Sequence, residues 1–410
     1  MKEFLKKAKA CTQTIATLDG KTKNRILNEM ANALVASTTM IVAENVKDME
    51  VGKKLNLEAS LLDRLLLDEQ RVADMAQSLR EISALKEPVG RVLEGWVNDD
   101  NLRIEKVSVP IGVVGVIYES RPNVTSDVAG LCFKSGNVAI LKGGKEAEYS
   151  NQIIAKTLQE VLLKNALPKE MISLLPDASR EGVAKLIKED EYVDLIVPRG
   201  GEALIKYISS NSSVPVVKHD KGLCHTYIHK DASPTKALNI AINAKCQRPG
   251  VCNSMETLII DEAIAKGLLP SLYKAFVDAG TKLKGCEMTR KYVFIAPASD
   301  EDYNTEYLSN ELNIKVVTGI EEAMAHIVKY GSGHSEAIIT ENYSASEKFM
   351  NTIDAACVYV NASTRFTDGG SFGFGAEVGI STNKLHARGP MGVNELTTYK
   401  FKIYGNGQTR

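Results

Sequence analysis

Short apolar runs alternate with helical segments along most of the chain, and this alternation restricts the fold more than any other feature. The first runs are residues 109–118, 137–141, 172–175 and 193–197. Continuous apolar runs of this length indicate strands that are buried on both faces. Strands that alternate with helices are typical of a doubly wound parallel sheet. The sequence therefore predicts an α/β fold.

A second alternation follows residue 254, and it predicts a second sheet. Its apolar runs are residues 256–260, 292–295, 314–317 and 337–340. Because this part of the chain is long enough to form a core of its own, we expect two doubly wound domains. The N-terminal 86 residues have helical periodicity instead and predict a helical lead-in.

Two further segments have the alternating pattern of strands with one exposed face. Residues 91–96 and 102–107 flank the polar stretch 98–101, which indicates a β-hairpin. Residues 396–404 form the last such segment, and we expect it to pair with this hairpin or with a neighbouring subunit. The single tryptophan, Trp96, lies on the hairpin, where it either packs locally or contacts another subunit.

The composition excludes several classes of partner. The chain has 410 residues with 50 basic and 51 acidic side chains, so its net charge of -1 gives no reason to expect a nucleic acid or an anionic membrane. No stretch resembles a membrane span or the apolar core of a signal peptide. The seven cysteines are scattered, without zinc-site spacing or disulfide density. We therefore expect a cytoplasmic protein that acts on small molecules.

Residues 245–254 combine the features that a reactive cysteine needs. Pro249 and Gly250 indicate a turn, Cys252 follows it, and basic residues precede it. A turn exposes the sulfur, cations favour the thiolate and polar neighbours supply hydrogen bonds. A buried cysteine that packs as a small apolar residue remains the alternative. Cys246 precedes the turn, where a structural role is favoured.

The chain resembles the aldehyde dehydrogenase superfamily in motifs that occur in the same order over most of its length. These are residues 110–117, 121–123, 141–142, 197–201, the Cys252 segment and 371–379. Residues 219–225, 247–253 and 386–392 are similar to a branch of the superfamily that reduces an acyl phosphate of glutamate. The resemblance implies an aldehyde dehydrogenase-like α/β fold with two doubly wound parallel-sheet domains and a small β oligomerisation arm.

The resemblance also implies a domain organisation. We expect an NADPH-binding domain, a catalytic domain with the nucleophilic cysteine, an oligomerisation arm and a glycine-rich return segment. The NADPH-binding domain is expected to comprise residues 1–90 and 109–228, and the catalytic domain residues 229–360. The oligomerisation arm is expected to comprise residues 91–108 and 393–410, and the return segment residues 361–392.

The activity implied by the resemblance is NADPH-dependent reduction of L-glutamyl 5-phosphate to L-glutamate 5-semialdehyde, with release of phosphate. This is the second step of proline biosynthesis. Hydride does not usefully attack a carboxylate but does attack a thioester, so a cysteine that displaces phosphate makes the carbonyl reducible. The resemblance assigns this role to Cys252. It assigns the side-chain oxyanion donor to Asn123, whose simple alternative is turn chemistry after Pro122.

His219 departs from the pattern of the superfamily. Members that release free acids carry a glutamate at this position, which activates a deacylating water. A histidine here is what an enzyme needs if its thioester reacts with hydride or phosphate and not with water. We expect His219 near the substrate. A metal site formed with Cys224, His225 and His229 is disfavoured, because Cys224 would point away from His225 on an extended segment.

Several residues match positions that hold the cofactor in the superfamily. Lys142 matches the lysine at the adenosine ribose, and Lys145 replaces an acid that is frequent in NAD-dependent relatives. A cation in place of an acid suits the 2′-phosphate of NADPH. Glu306 matches the carboxylate at the nicotinamide ribose, with a surface role as the alternative. The predicted pyrophosphate turn consists of Pro198, Arg199, Gly200 and Gly201.

The substrate carries anionic groups, so arginines near the thiol are expected to bind it, and Arg121 and Arg248 are the candidates. A glutamate 5-kinase is a candidate partner, and we expect a homo-oligomer, either a dimer or a tetramer. Two alternatives stay open. A hydrolytic aldehyde dehydrogenase would turn over without phosphate, and a non-catalytic scaffold would lack a selectively reactive Cys252.

Overall fold

The chain divides into two α/β units in the computed structural model, which describes residues 1–218 and 221–410. The first unit comprises Met1–Lys218, Gly373–Gly379 and Pro390–Arg410. The second comprises the described residues from 221 to 372 and Ile380–Gly389. Each unit contains one parallel sheet, as expected for the fold class.

Helices open the first unit, in agreement with the predicted lead-in. Asp19 and Asp68 accept backbone hydrogen bonds from Thr22 and Arg71 and so cap the third and sixth helices. The six helices are α1 (Lys2–Ala10), α2 (Thr12–Ala16), α3 (Gly20–Ala36), α4 (Thr38–Lys54), α5 (Ala59–Leu65) and α6 (Glu69–Ala84).

Three antiparallel strands form a separate small sheet, the β arm. They are β1 (Val92–Val97), β2 (Arg103–Pro110) and, at the C-terminus, Thr397–Tyr404. The last strand pairs with β2 along its whole length, for example Phe401 with Lys106, so pairing with the hairpin is confirmed.

The first unit's parallel sheet has the order β5-β4-β3-β6. Its strands are β3 (Val113–Tyr118), β4 (Val138–Lys142), β5 (Ile172–Leu174) and β6 (Leu195–Arg199), with helices α7 (Asn123–Lys134), α8 (Glu148–Lys164), α9 (Arg180–Leu186) and α10 (Glu202–Asn211). The predicted buried strand 109–118 is confirmed only over Val113–Tyr118, because the chain turns at Gly112 between β2 and β3. Gly112 has a φ of 133°, and a Cβ there would lie 2.9 Å from Cγ of Asp194.

The second unit contains a seven-stranded sheet of order β10-β9-β11-β8-β7-β12-β13, in which all six neighbouring pairs of strands are parallel. Its strands are β7 (Cys224–Ile228), β8 (Met255–Asp261), β9 (Lys282–Gly285), β10 (Ala296–Pro297), β11 (Glu311–Val317), β12 (Ser335–Ile339) and β13 (Cys357–Val360). Its helices are α11 (Pro234–Cys246), α12 (Glu262–Asp278), α13 (Glu287–Arg290), α14 (Asp300–Tyr303), α15 (Ile320–Tyr330) and α16 (Tyr343–Thr352).

Several elements lie outside the two parallel sheets and the helices given above. They are the strands β14 (Gly379–Ser381) and β15 (Gly389–Met391), which form a two-stranded sheet, the C-terminal strand β16 (Thr397–Tyr404), and the 3-10 helices Lys145–Ala147, Lys169–Met171 and Thr364–Phe366.

The structure corrects one predicted domain limit and one predicted strand. The cofactor-binding domain was expected to extend to residue 228, but β7 pairs with β8 and β12 and therefore belongs to the second unit. The predicted strand 292–295 is wrong, since this segment is irregular and only Ala296–Pro297 pairs with β9. Among the described residues, no single helix is long and apolar enough to cross a membrane, and α3 with α4 passes that test only as a pair bent by 67°.

Candidate active site

Three loops of the first unit meet at the carboxyl edge of its sheet. Ile117 of β3 pairs with Lys142 of β4 on one side and with Pro198 of β6 on the other. The segments that follow these strands are therefore neighbours, and they carry the predicted residues 121–123, 142–145 and 198–201. Ligands of doubly wound sheets bind at this edge.

Two glutamates tie these loops together. Oε1 of Glu146 accepts hydrogen bonds from the backbone N–H and the hydroxyl of Ser120, at 2.7 and 2.6 Å. Oε2 of Glu119 accepts a hydrogen bond from the backbone N–H of Gly201 at 3.0 Å. The loop after β3 is thus connected to those after β4 and β6.

The N-terminus of α10 has the properties of an anion-binding site. Gly201 is its N-cap, no side chain of its own caps it, and a Cβ added at Gly201 would meet nothing within 4 Å. The carboxylate of Glu119 stands at this terminus, which shows that the terminus holds an anion. The predicted order of strand, turn and helix is confirmed, but β6 includes Pro198 and Arg199, so the turn itself is limited to Gly200 and Gly201. The residues fit a pyrophosphate.

The two predicted cofactor lysines differ in environment. Lys142 is half-buried at the end of β4, and burial lowers its pKa, although Glu146 and Glu119 act against this effect. Lys145 is exposed at the start of a 3-10 helix. Arg199, in contrast, is turned towards Glu377, with 3.7 Å between Nη1 and Oε1.

Asn123, the predicted oxyanion donor, is exposed and is the first residue of α7. Its Nδ2 donates a hydrogen bond to Oδ2 of Asp127 at 3.0 Å. Burial raises the pKa of Asp127 to about 6, although the hydrogen bond from Asn123 acts against this shift. One amide hydrogen of Asn123 remains for a ligand after this bond. Arg121 is half-buried in the preceding loop.

The Cys252 turn lies in the second unit, between α11 and β8. Cys252 is half-buried, and its carbonyl oxygen accepts a hydrogen bond from Sγ of Cys224 at 3.2 Å. Gly222 packs against the same backbone, since a Cβ added there would lie 2.6 Å from Cα of Cys252. Cys246 ends α11 and packs against the core, as the sequence predicts.

A buried ion pair links the helix that precedes this turn to the strand that follows it. Nζ of Lys245, in the last turn of α11, donates to Oε2 of Glu256 in β8 at 2.8 Å, and both side chains are buried. Burial raises the pKa of Glu256, and Lys245 opposes this shift. Glu306, the predicted ribose-binding glutamate, raises the pKa of Glu256 further through its negative charge.

Arg365 is a neighbour of the thiol that sequence reasoning missed. Its guanidinium bonds to Gln247 and Asn253, on either side of Cys252. These partners are 118 and 112 residues away in the chain, so no local pattern indicates the contact. Arg248, a predicted substrate ligand, is exposed and close enough to lower the pKa of Arg365.

The residues of the disfavoured metal site have other partners. Nδ1 of His225 is 2.9 Å from Oε2 of Glu336, and Nδ1 of His229 is 3.0 Å from the hydroxyl of Thr340. Cys224 bonds to the Cys252 carbonyl, as described above. His219, the predicted replacement for the hydrolytic base, lies outside the described residues.

Comparison with known proteins agrees with this fold and site. The model of the aldehyde dehydrogenase family matches residues 1–302 of the chain. The chain therefore belongs to the aldehyde dehydrogenase family, whose members are oxidoreductases that use nicotinamide cofactors.

Three matches over the full length of the chain indicate its group within the family. The chain is 66% identical to a protein of a Nitratiruptor species and 67% identical to one of a Sulfurovum species, each over 100% of both chains. A crystal structure from Thermotoga maritima is 44% identical, covers 100% of this chain and 99% of its own, and superposes with a TM-score of 0.97. All three are named gamma-glutamyl phosphate reductase, and within the family the chain belongs to that group.

Proposed function

We propose that the chain catalyses the NADPH-dependent reduction of L-glutamyl 5-phosphate to L-glutamate 5-semialdehyde, with release of phosphate, in proline biosynthesis. The observation that carries this proposal is the half-buried thiol of Cys252, held on a turn beside the guanidinium group of Arg365. Full-length similarity to gamma-glutamyl phosphate reductases supports the choice of substrate.

Cys252 is the nucleophile of the first step. Its thiolate attacks the acyl carbonyl carbon, a carbon–sulfur bond forms, and the bond from that carbon to the phosphate oxygen breaks. Cations near a thiol favour the thiolate, and here Arg365 and Arg248 supply them. Asn123 is proposed to donate to the carbonyl oxygen as negative charge develops there, with Asp127 holding its amide in the donating orientation.

The cofactor residues lie mainly at the carboxyl edge of the first sheet. NADPH, when bound, supplies the hydride that reduces the thioester. The N-terminus of α10 is proposed to bind the pyrophosphate, and Lys142 the adenosine ribose. The exposed Lys145 is proposed to bind the 2′-phosphate, which favours NADPH over NADH. Glu306 is proposed to bind the nicotinamide ribose.

The thioester must not be lost to water before hydride arrives. His219 occupies the position where acid-forming relatives carry a glutamate base, so the chain lacks that base there. We propose that Arg121 and Arg248 bind the substrate and that the replacement at His219 prevents hydrolysis of the thioester. The thioester then reacts with hydride in the biosynthetic direction and with phosphate in the reverse direction.

The assembly and location follow from the same proposal. The β arm exposes apolar side chains, including Trp96, Phe401 and Ile403, which supports a homo-oligomer built through this sheet. A reducing cytoplasm suits the seven cysteines, none of which forms a disulfide in the described part of the chain. A glutamate 5-kinase, which makes the unstable acyl phosphate, is the proposed partner.

The reverse reaction tests this function. Purified protein should reduce NADP⁺ with L-glutamate 5-semialdehyde only when inorganic phosphate is present, and faster than it reduces NAD⁺. Cys252→Ala should abolish this reaction. Continuous turnover without phosphate would support the hydrolytic alternative instead. Equal behaviour of wild type and Cys252→Ala would contradict the proposal altogether.

A further inference from the structure

Arg365 is fixed beside Cys252 by hydrogen bonds to both sides of the cysteine turn. Its Nε donates to Oε1 of Gln247 at 2.9 Å, and its Nη1 donates to Oδ1 of Asn253. Gln247 precedes the Pro249-Gly250 turn, and Asn253 directly follows Cys252. Two bonds to a planar guanidinium fix its orientation as well as its position.

The segment that carries Arg365 is itself clamped to this turn. The hydroxyl of Thr364 donates to the carbonyl oxygen of Asn253 at 2.8 Å, and Nδ2 of Asn253 donates to the carbonyl oxygen of Thr367 at 2.7 Å. Thr364, Thr367 and Asn253 are all buried. Arg365 is therefore part of a built site, in contrast to a flexible surface arginine.

Two positive charges approach each other at this site. Burial lowers the pKa of Arg365, the neighbouring Arg248 lowers it further, and Asp368 and Cys252 act in the opposite direction. Within the described residues, Nη2 of Arg365 makes no hydrogen bond. Two cations that repel each other, one of them beside a thiol and with a donor directed to no described acceptor, are most stable when an anion binds between them.

We propose that Arg365, together with Arg248, binds the phosphoryl group of the acyl phosphate and the inorganic phosphate that leaves. This rests on the proposed function and names the subsite for one part of its substrate. The phosphoryl group is chosen over the α-carboxylate because it is attached to the carbonyl that Cys252 attacks, whereas the carboxylate lies at the far end of the substrate.

The chemical role of this subsite is to stabilise the leaving group. As sulfur bonds to the carbonyl carbon, the electron pair of the breaking carbon–oxygen bond departs with phosphate, which takes up a proton from solvent. The charge on phosphate increases during this step, so fixed guanidinium donors stabilise the transition state more than the bound substrate. No oxidation or reduction occurs until hydride transfer.

The reverse reaction distinguishes this role from a structural one, because its first step, formation of the thioester, does not require phosphate. Without phosphate, semialdehyde and NADP⁺ give one burst of NADPH as the thioester forms; added phosphate then releases the acyl group. For Arg365→Gln we expect the burst to keep its full amplitude of one NADPH per Cys252 but to form more slowly, because the thiolate loses a neighbouring cation. We also expect a higher KM for phosphate and phosphate-dependent turnover that is about 100-fold slower. Arg365→Lys, which keeps the charge without the planar fork, should recover part of this loss. The exposed Arg290→Gln in the same unit is the control.

Three results would overturn the inference. Loss of the burst amplitude together with the phosphate step in both Arg365 variants would indicate a structural role. A higher KM for the semialdehyde, with the KM for phosphate unchanged, would assign Arg365 to the α-carboxylate. Wild-type turnover that is independent of phosphate would overturn the proposed function itself, and this inference with it.

Discussion

Gly222 sets how closely the chain can approach the proposed nucleophile. A Cβ at this position would overlap the backbone of Cys252, so Gly222→Ala must displace the turn. A displacement of about 1 Å of a reacting group can cost 10²-fold in rate. We therefore expect kcat to fall about 100-fold while the second unit remains folded. Steady-state kinetics and circular dichroism measure the two effects.

The matched control for this substitution is Gly267→Ala. Gly267 lies inside α12, and a Cβ there would meet nothing within 4 Å. We expect normal activity and a free energy of unfolding that is higher by about 0.5–1 kcal/mol, since alanine is the better helix former. Normal activity of Gly222→Ala would contradict the assigned position of the nucleophile.

Lys145 is the residue on which the proposed preference for NADPH depends. It is exposed just beyond the carboxyl end of β4, where its ammonium group is accessible to a ligand. Lys145→Glu should lower kcat/KM for NADPH relative to NADH by roughly 10- to 100-fold, because a hydrogen bond to a charged group contributes about 1.5–3 kcal/mol. An unchanged ratio would exclude Lys145 from the 2′-phosphate site.

At the residue scale, prediction from sequence depended on whether partners lie close together in the chain. The Pro249-Gly250 turn before Cys252 is local, and the structure contains it. Arg365 was missed because Gln247 and Asn253 lie more than a hundred residues before it. Gly222 was missed as a packing residue because its contact with Cys252 depends on how β7 and β8 pair.

At the element scale, the ion pair between Lys245 and Glu256 joins α11 to β8 across the cysteine turn. Removing one partner leaves a buried charge unpaired, so Lys245→Met or Glu256→Met should each lower the free energy of unfolding by about 3–5 kcal/mol. The double variant should recover most of this loss, since two apolar side chains leave no unpaired charge. Urea unfolding of all four proteins measures the coupling, and additive losses would contradict it.

The sequence predicted strands correctly where the strand is buried on both faces, as in β3 and β8. The run 292–295 failed because hydrophobicity does not determine pairing: Val293 is buried, whereas Phe294 is 97% exposed and the segment is irregular. Conversely β9 (Lys282–Gly285) was missed, since two of its four residues are lysines and its strand conformation comes from parallel pairing with β11. Tertiary pairing decided both cases.

At the scale of the whole molecule, the β arm is the proposed assembly surface. Tyr399, Phe401 and Ile403 alternate along β16 and are all more than half exposed. Ile403→Lys should shift the protein to a smaller species in light scattering, because a charge would be buried in the interface. Val328→Lys on α15, an exposed apolar site in the second unit, is the control. An unchanged mass for Ile403→Lys would exclude this face.

Division of the chain into two units was predictable in outline, but the limit at residue 228 and the return segment 361–392 were not. Residues 373–379 and 390–392 of that segment belong to the first unit, and its other residues belong to the second. The alternation of strands and helices continues through residues 219–228 without a change of composition, so nothing local marks where one sheet ends. Only the pairing of β7 with β8 and β12 assigns this strand to the second unit.

The central claim is that Cys252 carries the acyl group as a thioester that phosphate, and not water, releases. The most direct measurement is mass spectrometry of the Cys252 peptide after incubation with L-glutamate 5-semialdehyde and NADP⁺ without phosphate. We expect one glutamyl adduct on Cys252, with a matching amount of NADPH, that persists until phosphate is added. An adduct on another residue, or NADPH formation that continues without phosphate, would contradict the account.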